Sequence, residues 1–427
     1  MIPSSIRGDV RGADGLSRAE EIRDFYERLP YPAPLASLDE HRELYKHPDR
    51  RRALFHLTWP CTPFGARQDI LIAGCGTSQA AVYALRDPEA RVVGIDVSGE
   101  SLRHTRELQH KYNLTNLELH QLAVEDVREI GRAFDLAVCT GVLHHLPDPD
   151  LGLRALREVL KPGGAMRAMV YARYGRAGIY MMQEYCRLLG ISASPEDLRD
   201  LAATLKALPA NHPISGVLGP AMDFLRPEAT ADALLHPQDR AYSVPELYAW
   251  LERCGMSFGR WIEQAPYLPQ CGALAQSPHA QRLALLPPPL QHAAVELFRG
   301  AMVSHSFVAY RDDRAHSSQP INFADENWRS YVPIALPWTV RVRERLPPGS
   351  VAVLINRAHR FTDLVLTVDP FEDRVLGAID GQRNLGEIMQ RAVKKGETAR
   401  QALKFVERLW QYDQIVFDAS QAAEARA

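Results

Sequence analysis

The stretch "DILIAGCGTSQAA", Asp69 to Ala81, ends an apolar run on Gly74-Cys75-Gly76 and continues into alanine-rich sequence. Glycine at 74 and 76 lets the backbone bend tightly and approach a ligand that a Cβ would exclude. Asp96 closes the next apolar run, twenty residues after Gly76. A carboxylate there can accept both hydroxyl hydrogens of a ribose. The dinucleotide fingerprint wants glycine or alanine three places after the second glycine, where helix and pyrophosphate crowd together. That place holds Gln79, and the turn carries no arginine or lysine to meet a phosphate. The spacing fits an adenosine-bearing ligand without a pyrophosphate.

Proton chemistry points to His144 and His145, which follow a later apolar run; neutral imidazole suits a base near pH 7. Packing of a His-His-Leu turn is the plainer alternative. "YARYGRAGIYMMQEY" brings Tyr171, Tyr174, Arg176, Tyr180 and Glu184 into one segment, with Tyr180 and Glu184 on one helical face. It reads as a lid that either touches a substrate or simply half-buries its tyrosines. Tyr26 and Tyr31 flank a Pro-rich turn that could cover the ligand from the N-terminal side, and "HPQDRAY" offers His236, Asp239, Arg240 and Tyr242. An Asp-Arg pair is equally a structural ion pair. The histidines form no HxH or HxxxH set, so no metal is expected.

These residues sit in a 427-residue chain that is 46% hydrophobic and 24% charged, with a formal net charge of -2. That length allows two or three domains, and the charge gives no global attraction for nucleic acid or an anionic membrane. The N-terminus has no apolar core of signal-peptide length, and no apolar run approaches the roughly 18 residues of a membrane span. Six cysteines without CxxC pairing favour reduced thiols, hence a cytoplasmic protein.

The elements that must position the chemistry follow a regular pattern from Asp69. "DILIAG", "RVVGIDVS", "LELHQLAV", "FDLAVCTGV" and "AMRAMVYA" read as strands, the apolar runs continuous as burial on both faces requires. "TSQAAVYALRD" and "LGLRALREVLKPGG" read as helices, and Ser98 can cap a third. Alternation at this spacing implies a parallel sheet with helices on both faces. The regularity lapses at about 172–238, then returns with "SVPELYAWLERCG" as a helix and "MSFGRWIEQAPYL" and "HSFVAYR" as closing strands. Residues 1 to about 17 read as a polar leader, "EHRELYKHPDRRRALFHLTW" as one helix, and 313–335 as a linker. Beyond it, two helices, carrying Leu385, Ile388, Met389 and Ala392, then Ala399, Ala402, Leu403, Val406 and Trp410, join a β-ribbon. Arg400, Lys404 and Arg408 share one helix face there, but a charged outer face is commoner than a nucleic-acid-reading one.

"LIAGCGTSQA", "VVGIDVS", "FDLAVCTGVLHHLPDP" and "LREVLKPGGAM", in this order and spacing, resemble the class I S-adenosylmethionine-dependent methyltransferases, strongly over about residues 69–170 and in outline on to about 311. The resemblance implies an α/β fold, a Rossmann-like seven-stranded sheet with helical insertions, holding S-adenosyl-L-methionine at the C-terminal edge of its first strands. Gly74, Cys75 and Gly76 match the turn under the methionine part, Asp96 with Val97 the ribose site, Ala123 the adenine site, and Thr140 and Gly141 the place beside the sulfonium. Two positions depart from the family: Ile72 stands where an acid usually precedes the first glycine, and Ala123 where an acid often lies near the adenine amine, with Glu125 or Asp126 as substitutes. "FYERLPYP", "HPQDRAYSVPELYAWLERCGM" and the C-terminal region are similar to bacterial methyltransferases with an added substrate or regulatory domain, some relatives of which act on proteins.

The expected organisation is an N-terminal helical cap over 1–60, a methyltransferase domain over 61–312 with a lid insertion at about 172–238, a linker over 313–335, and a small α+β winged-helix-like domain over 336–420. The expected reaction is methyl transfer to an O or N nucleophile of a small molecule or a protein side chain. His144, His145 and Tyr180 are the catalytic candidates, and Tyr31, Tyr171, Tyr174, Arg176, Glu184, Arg240 and Tyr242 the substrate-facing ones. No nucleic-acid or membrane partner is expected, and the C-terminal domain would shape the substrate site or form a homodimer. Two other classes stand beside this reading: a non-catalytic S-adenosylmethionine-binding regulator, and an NAD-dependent oxidoreductase, which Gln79 disfavours.

Overall fold

The central strands are apolar at every position because both faces of the sheet are covered. Along the first strand, Leu71 and Ala73 join one core while Ile70 and Ile72 join the other, the period of two that a pleated strand imposes. The computed structural model describes residues 17–218, 226–313 and 321–424. The polar leader, apart from Ser17, lies outside the described residues, as do 219–225 of the expected insertion and 314–320 of the expected linker.

The chain opens with helices α1 (Arg18–Arg28), α2 (Asp39–Tyr45) and α3 (Pro48–Thr58). The single helix expected over "EHRELYKHPDRRRALFHLTW" is thus two, divided before Pro48, which starts a helix better than it continues one. Strand β1 (Asp69–Ala73), α4 (Gln79–Arg86), β2 (Arg91–Asp96), α5 (Gly99–Tyr112), β3 (Leu117–Gln121) and β4 (Phe134–Thr140) follow. Then come α6 (Pro149–Glu158) and β5 (Leu160–Ala172). The insertion contributes α7 (Ala177–Leu189), α8 (Pro195–Lys206), α9 (Ser215–Leu218) and α10 (Pro227–Leu234). Strand β6 (Ala241–Tyr242), α11 (Val244–Arg253), β7 (Met256–Trp261), α12 (Ala280–Ala284), α13 (Pro288–Arg299) and β8 (Ser304–Arg311) complete the domain.

The strand order is β3-β2-β1-β4-β5-β8-β7, with the short β6 paired to β5. Strands β1 to β5 run parallel, and β8 lies antiparallel between β5 and β7. The seven-stranded Rossmann-like sheet is present, with one extra two-residue strand. Its C-terminal edge, where β2, β4 and β5 end, is roofed by the N-terminal helices and the insertion. Packing of α7, α8 and α10 on one another through Ile179, Met182, Leu201 and Leu234 makes that roof a small core of its own.

The C-terminal unit differs from expectation in two places. Part of the expected linker is structural: strand β9 (Val332–Ala335) pairs antiparallel with the last strand, and Trp328 and Tyr331 are buried in this unit's core. The unit also has two helices more than the two expected. After the antiparallel strands β10 (Thr339–Val342), β11 (Ala352–Asn356) and β12 (Val365–Val368) comes α14 (Pro370–Gly377), started by Asp369 in a capping box with Glu372. Helices α15 (Leu385–Ala392) and α16 (Ala399–Gln411), β13 (Ile415–Asp418) and α17 (Ser420–Glu424) follow. Arg408, one of three cations sharing a face of α16, pairs with Glu372 at 2.7 Å.

Helix α3 packs on β9 and β13 through Ala53 and Leu57, with Val332, Ile334 and Val416 opposite. Arg52 pairs with Asp418 at 2.9 Å, and His56 Nε2 lies 3.4 Å from the same carboxylate. Burial pushes the Asp418 pKa up, but the His56 imidazole, the Ser420 hydroxyl and the Arg52 guanidinium outweigh it and hold the carboxyl well below its ordinary range. An acid with a depressed folded pKa stabilises the fold above its unfolded pKa of about 4 and loses that contribution as pH falls through the folded value. Asp418→Asn should therefore lower the melting temperature at pH 7 and reduce the gap to wild type below about pH 4. Thermal unfolding across pH checks this, and equal melting curves at pH 7 would contradict it.

Candidate active site

The glycine turn is tied to the end of β2. Gly74 and Cys75 both donate to the Ile95 carbonyl at 2.9 Å, and Gly74 and Gly76 adopt φ values of 70° and 54°. A Cβ on Gly74 would collide with Val142 Cγ2, and one on Gly76 would crowd Pro32 and the Tyr31 carbonyl. Gly74→Ala adds that collision to a left-handed backbone, together worth about 1–3 kcal/mol or more of destabilisation. The denaturant midpoint measures it, and a wild-type midpoint would refute the packing described.

Asp96 sits at the end of β2 with both oxygens engaged. Gly76 N–H donates to Oδ2 at 2.8 Å and Ser98 N–H to Oδ1 at 2.9 Å. Burial raises its pKa, against the lowering effect of those two hydrogen bonds. Ser98 caps α5, its Oγ accepting from Ser101 N–H at 3.0 Å. Glu27 of α1 accepts from the N–H groups of Gly99 and Glu100, at 2.6 and 3.0 Å. That contact fastens the N-terminal cap to the cofactor edge.

A cavity of about 360 Å³ opens above this turn. Gly74, Cys75, Gly76, Asp96, Val97, Ala123, Thr140 and Gly141 all line it. Tyr31, Tyr171 and His145 line it too, together with Tyr26 and Glu125. Ile72 is fully buried in the core beneath α4, so an acid at that place would be inside the core rather than in the cavity.

The other sequence candidates are placed elsewhere. His144 is fully buried, its ring centroid 3.7 Å from that of Tyr171, and neither ring nitrogen has a hydrogen-bond partner among the described residues. Burial, then the neighbouring His145, holds its pKa well below the usual imidazole value. Arg176 and Tyr180 turn to Asp239, at 3.0 and 3.4 Å, and the Arg176 guanidinium lies over the Tyr171 ring at 3.4 Å. They brace Tyr171 from behind. Tyr174 and Arg240 point to solvent, Glu184 pairs with Arg187 at the surface, and Tyr242 stacks on Trp250 at 4.8 Å. A tyrosine- and charge-rich segment serves several faces once folded; of its candidates only Tyr171, near the end of β5, lines the cavity.

His145 is held by a directional contact. Its Nδ1 lies 2.6 Å from the Gln238 carbonyl. A carbonyl can only accept, so Nδ1 carries the hydrogen, and in the neutral ring Nε2 has the lone pair. The ring packs against His236 at 3.9 Å, and burial keeps the His236 pKa well below its ordinary value.

One cavity residue escaped the sequence reading. Asp232, on α10, accepts from Tyr26 Oη at 2.9 Å and Tyr171 Oη at 3.2 Å. Burial, then the Asp232 charge, raises both phenol pKa values well above 10, so both remain donors. The available signal was a lone acid in the alanine-rich "ATADALL", inside a segment without regular periodicity. Among the described residues lining the cavity are three carboxylates, Asp96, Glu125 and Asp232, and no lysine or arginine.

Residues 71–166 match the family model described as methyltransferase domain. An uncharacterized protein of Synechococcus sp. is 38% identical over 200 residues, 45% of this chain and 48% of that protein. The chain thus spans about half the length of that relative. A ubiquinone biosynthesis O-methyltransferase of Acinetobacter baumannii is 26% identical over 162 residues, 34% of this chain and 68% of the relative. Among solved structures, PKMT2 from Rickettsia typhi matches with a TM-score of 0.62 and 16% identity, over 91% of this chain and 77% of that one. A complex of PKMT2 with AdoHcy gives 0.60 and 14%, over 88% and 76%. Residues 71–166 thus form a methyltransferase domain. Its fold, including the flanks, is the one that PKMT2 shares.

Proposed function

We propose that this protein binds S-adenosyl-L-methionine in the cavity and methylates an oxygen or nitrogen nucleophile enclosed beneath the insertion. The observation that carries this is the wall itself, three carboxylates and, among the described residues, no lysine or arginine. A cationic sulfonium ligand is favoured there, whereas a pyrophosphate would meet only like charge. The glycine cradle and the two open lone pairs of Asp96 fit an adenosine ligand on the same wall. S-adenosylmethionine supplies a methyl carbon whose bond to sulfur breaks, with the electron pair staying on sulfur, as the acceptor's lone pair bonds the carbon. The chain's own residues align the acceptor, which can lower the barrier by about 7–11 kcal/mol, and His145 Nε2 removes the proton from an X–H acceptor. Tyr26 and Tyr31 in the lining offer aromatic surface to a cationic ligand. The acceptor is a small molecule or a protein side chain.

Calorimetric titration tests the reading. S-adenosylmethionine and S-adenosylhomocysteine should bind the folded protein and NAD should not. NAD binding, or silence with all three, would overturn it. Incorporation of labelled methyl groups into an extract then separates an enzyme from a sensor.

A further inference from the structure

Asp232 has no counterpart in the turn that holds an adenosine ligand. It comes from the insertion, outside residues 71–166, and only 4% of it is exposed, between the buried Ala231 and Ala233. Its two oxygens take one phenol hydrogen each, from Tyr26 and Tyr171. A carboxylate oxygen has two lone pairs, so each keeps one open, and the residue lines the cavity. Among the described residues it forms no ion pair. Arg176, stacked on the same Tyr171, is committed to Asp239 instead. A carboxylate this buried, hydrogen-bonded but lacking a cation, is a site that an incoming positive charge would complete.

The surroundings favour one kind of cation. Tyr26 and Tyr31 line the same cavity as Asp232, and aromatic faces attract ammonium groups; Tyr171 serves through its hydroxyl, its two faces being covered by His144 and Arg176. His145 packs against the same Tyr171 ring, centroid to centroid 5.3 Å, with Nε2 free to take a proton. We propose that Asp232 anchors the methyl acceptor, and that this acceptor is an aliphatic amine arriving as an ammonium ion. The proposal rests on the reading of the cavity as the S-adenosylmethionine site. The ammonium pairs with Asp232, and one of its N–H protons passes to His145 Nε2. This gives a neutral amine with its lone pair free and an imidazolium, with charge and protons conserved. A phenol or carboxylic acid acceptor would instead have to ionise beside a buried carboxylate, which like charge opposes.

The test uses the full-length protein loaded with S-adenosylhomocysteine and titrated by calorimetry with n-butylammonium chloride, catechol and sodium butyrate. Butylammonium should bind saturably and in preference to the other two, a comparison that needs no variant. Asp232→Asn should weaken butylammonium binding by about tenfold or more, the scale of removing one side of a buried charge pair. Its affinity for S-adenosylhomocysteine should stay within about threefold of wild type, which also reports that the variant is folded. Preference for catechol or butyrate, no saturable butylammonium binding, or an unchanged butylammonium affinity in Asp232→Asn would overturn the proposal. Loss of S-adenosylhomocysteine binding in Asp232→Asn would also overturn it, by assigning the residue to the cofactor. If S-adenosylhomocysteine fails to bind the folded wild-type protein, the cofactor reading falls and takes this proposal with it.

Discussion

Asp96→Asn should weaken S-adenosylhomocysteine binding by about 10- to 100-fold. The carboxylate offers about four lone-pair sites. Gly76 N–H and Ser98 N–H occupy one on each oxygen, leaving two for a ribose diol. A hydrogen bond to a charged group contributes roughly 1.5–3 kcal/mol, and each 1.4 kcal/mol is about tenfold in affinity. Asparagine removes the charge and turns one acceptor into a donor, which also leaves one backbone N–H of the turn without its partner. Asp96→Ala orphans both N–H groups, so it should lose more affinity and also lower the melting temperature. Because burial raises the pKa of Asp96, acidification should weaken binding at a higher pH than an exposed aspartate would produce. Titrations of wild type and both variants at several pH values measure all three effects. An unchanged dissociation constant in Asp96→Asn would remove the ribose assignment.

His145→Ala should lower the rate of labelled-methyl incorporation by about 10²- to 10⁴-fold, the usual contribution of a positioned general base. Its affinity for S-adenosylhomocysteine should hold within about threefold, since the glycine turn and Asp96 are untouched. His144→Ala leaves the free Nε2 in place but opens a void behind Tyr171, so its effect should appear in thermal stability before it appears in rate. Reversal of that order, with His144→Ala slow and His145→Ala near wild type, would exchange the two histidines and contradict the hydrogen bond to Gln238 as the orienting contact.

The two histidines show where reading by sequence ends. "GVLHHLPDP" marks both as residues at the end of a strand, and nothing local distinguishes them. Folding separates them through a contact 93 positions away, His145 to the Gln238 carbonyl. The tyrosine segment behaves likewise: Tyr171 is the last residue but one of β5 and reaches the cavity, while Tyr174, three residues on, faces solvent. Asp232 depends on partners 206 and 61 positions distant, and no periodicity announces it.

The C-terminal unit repeats the lesson at larger scale. Its helix faces were legible, since Leu385, Ile388, Met389 and Ala392 are all buried together. That α3, from the N-terminal region, packs on β9 and β13 was not legible. Nor was Asp413, near the C-terminus, which accepts from Arg260 of β7 at 3.1 Å and from Ala265 N–H at 2.8 Å. These contacts bind the unit to the sheet through residues whose neighbours in sequence carry no trace of the pairing.

The sequence by itself determined the sheet, the glycine turn and the acid at the end of β2. Each follows from alternation, backbone freedom or a fixed offset within a few tens of residues, so local physics suffices. Tertiary structure alone decided which histidine lines the cavity, that Arg176 and Tyr180 meet Asp239, and that Asp232 joins the wall. Those outcomes depend on how an irregular insertion packs over a strand edge, where a side chain's destination is set by distant partners competing for the same space.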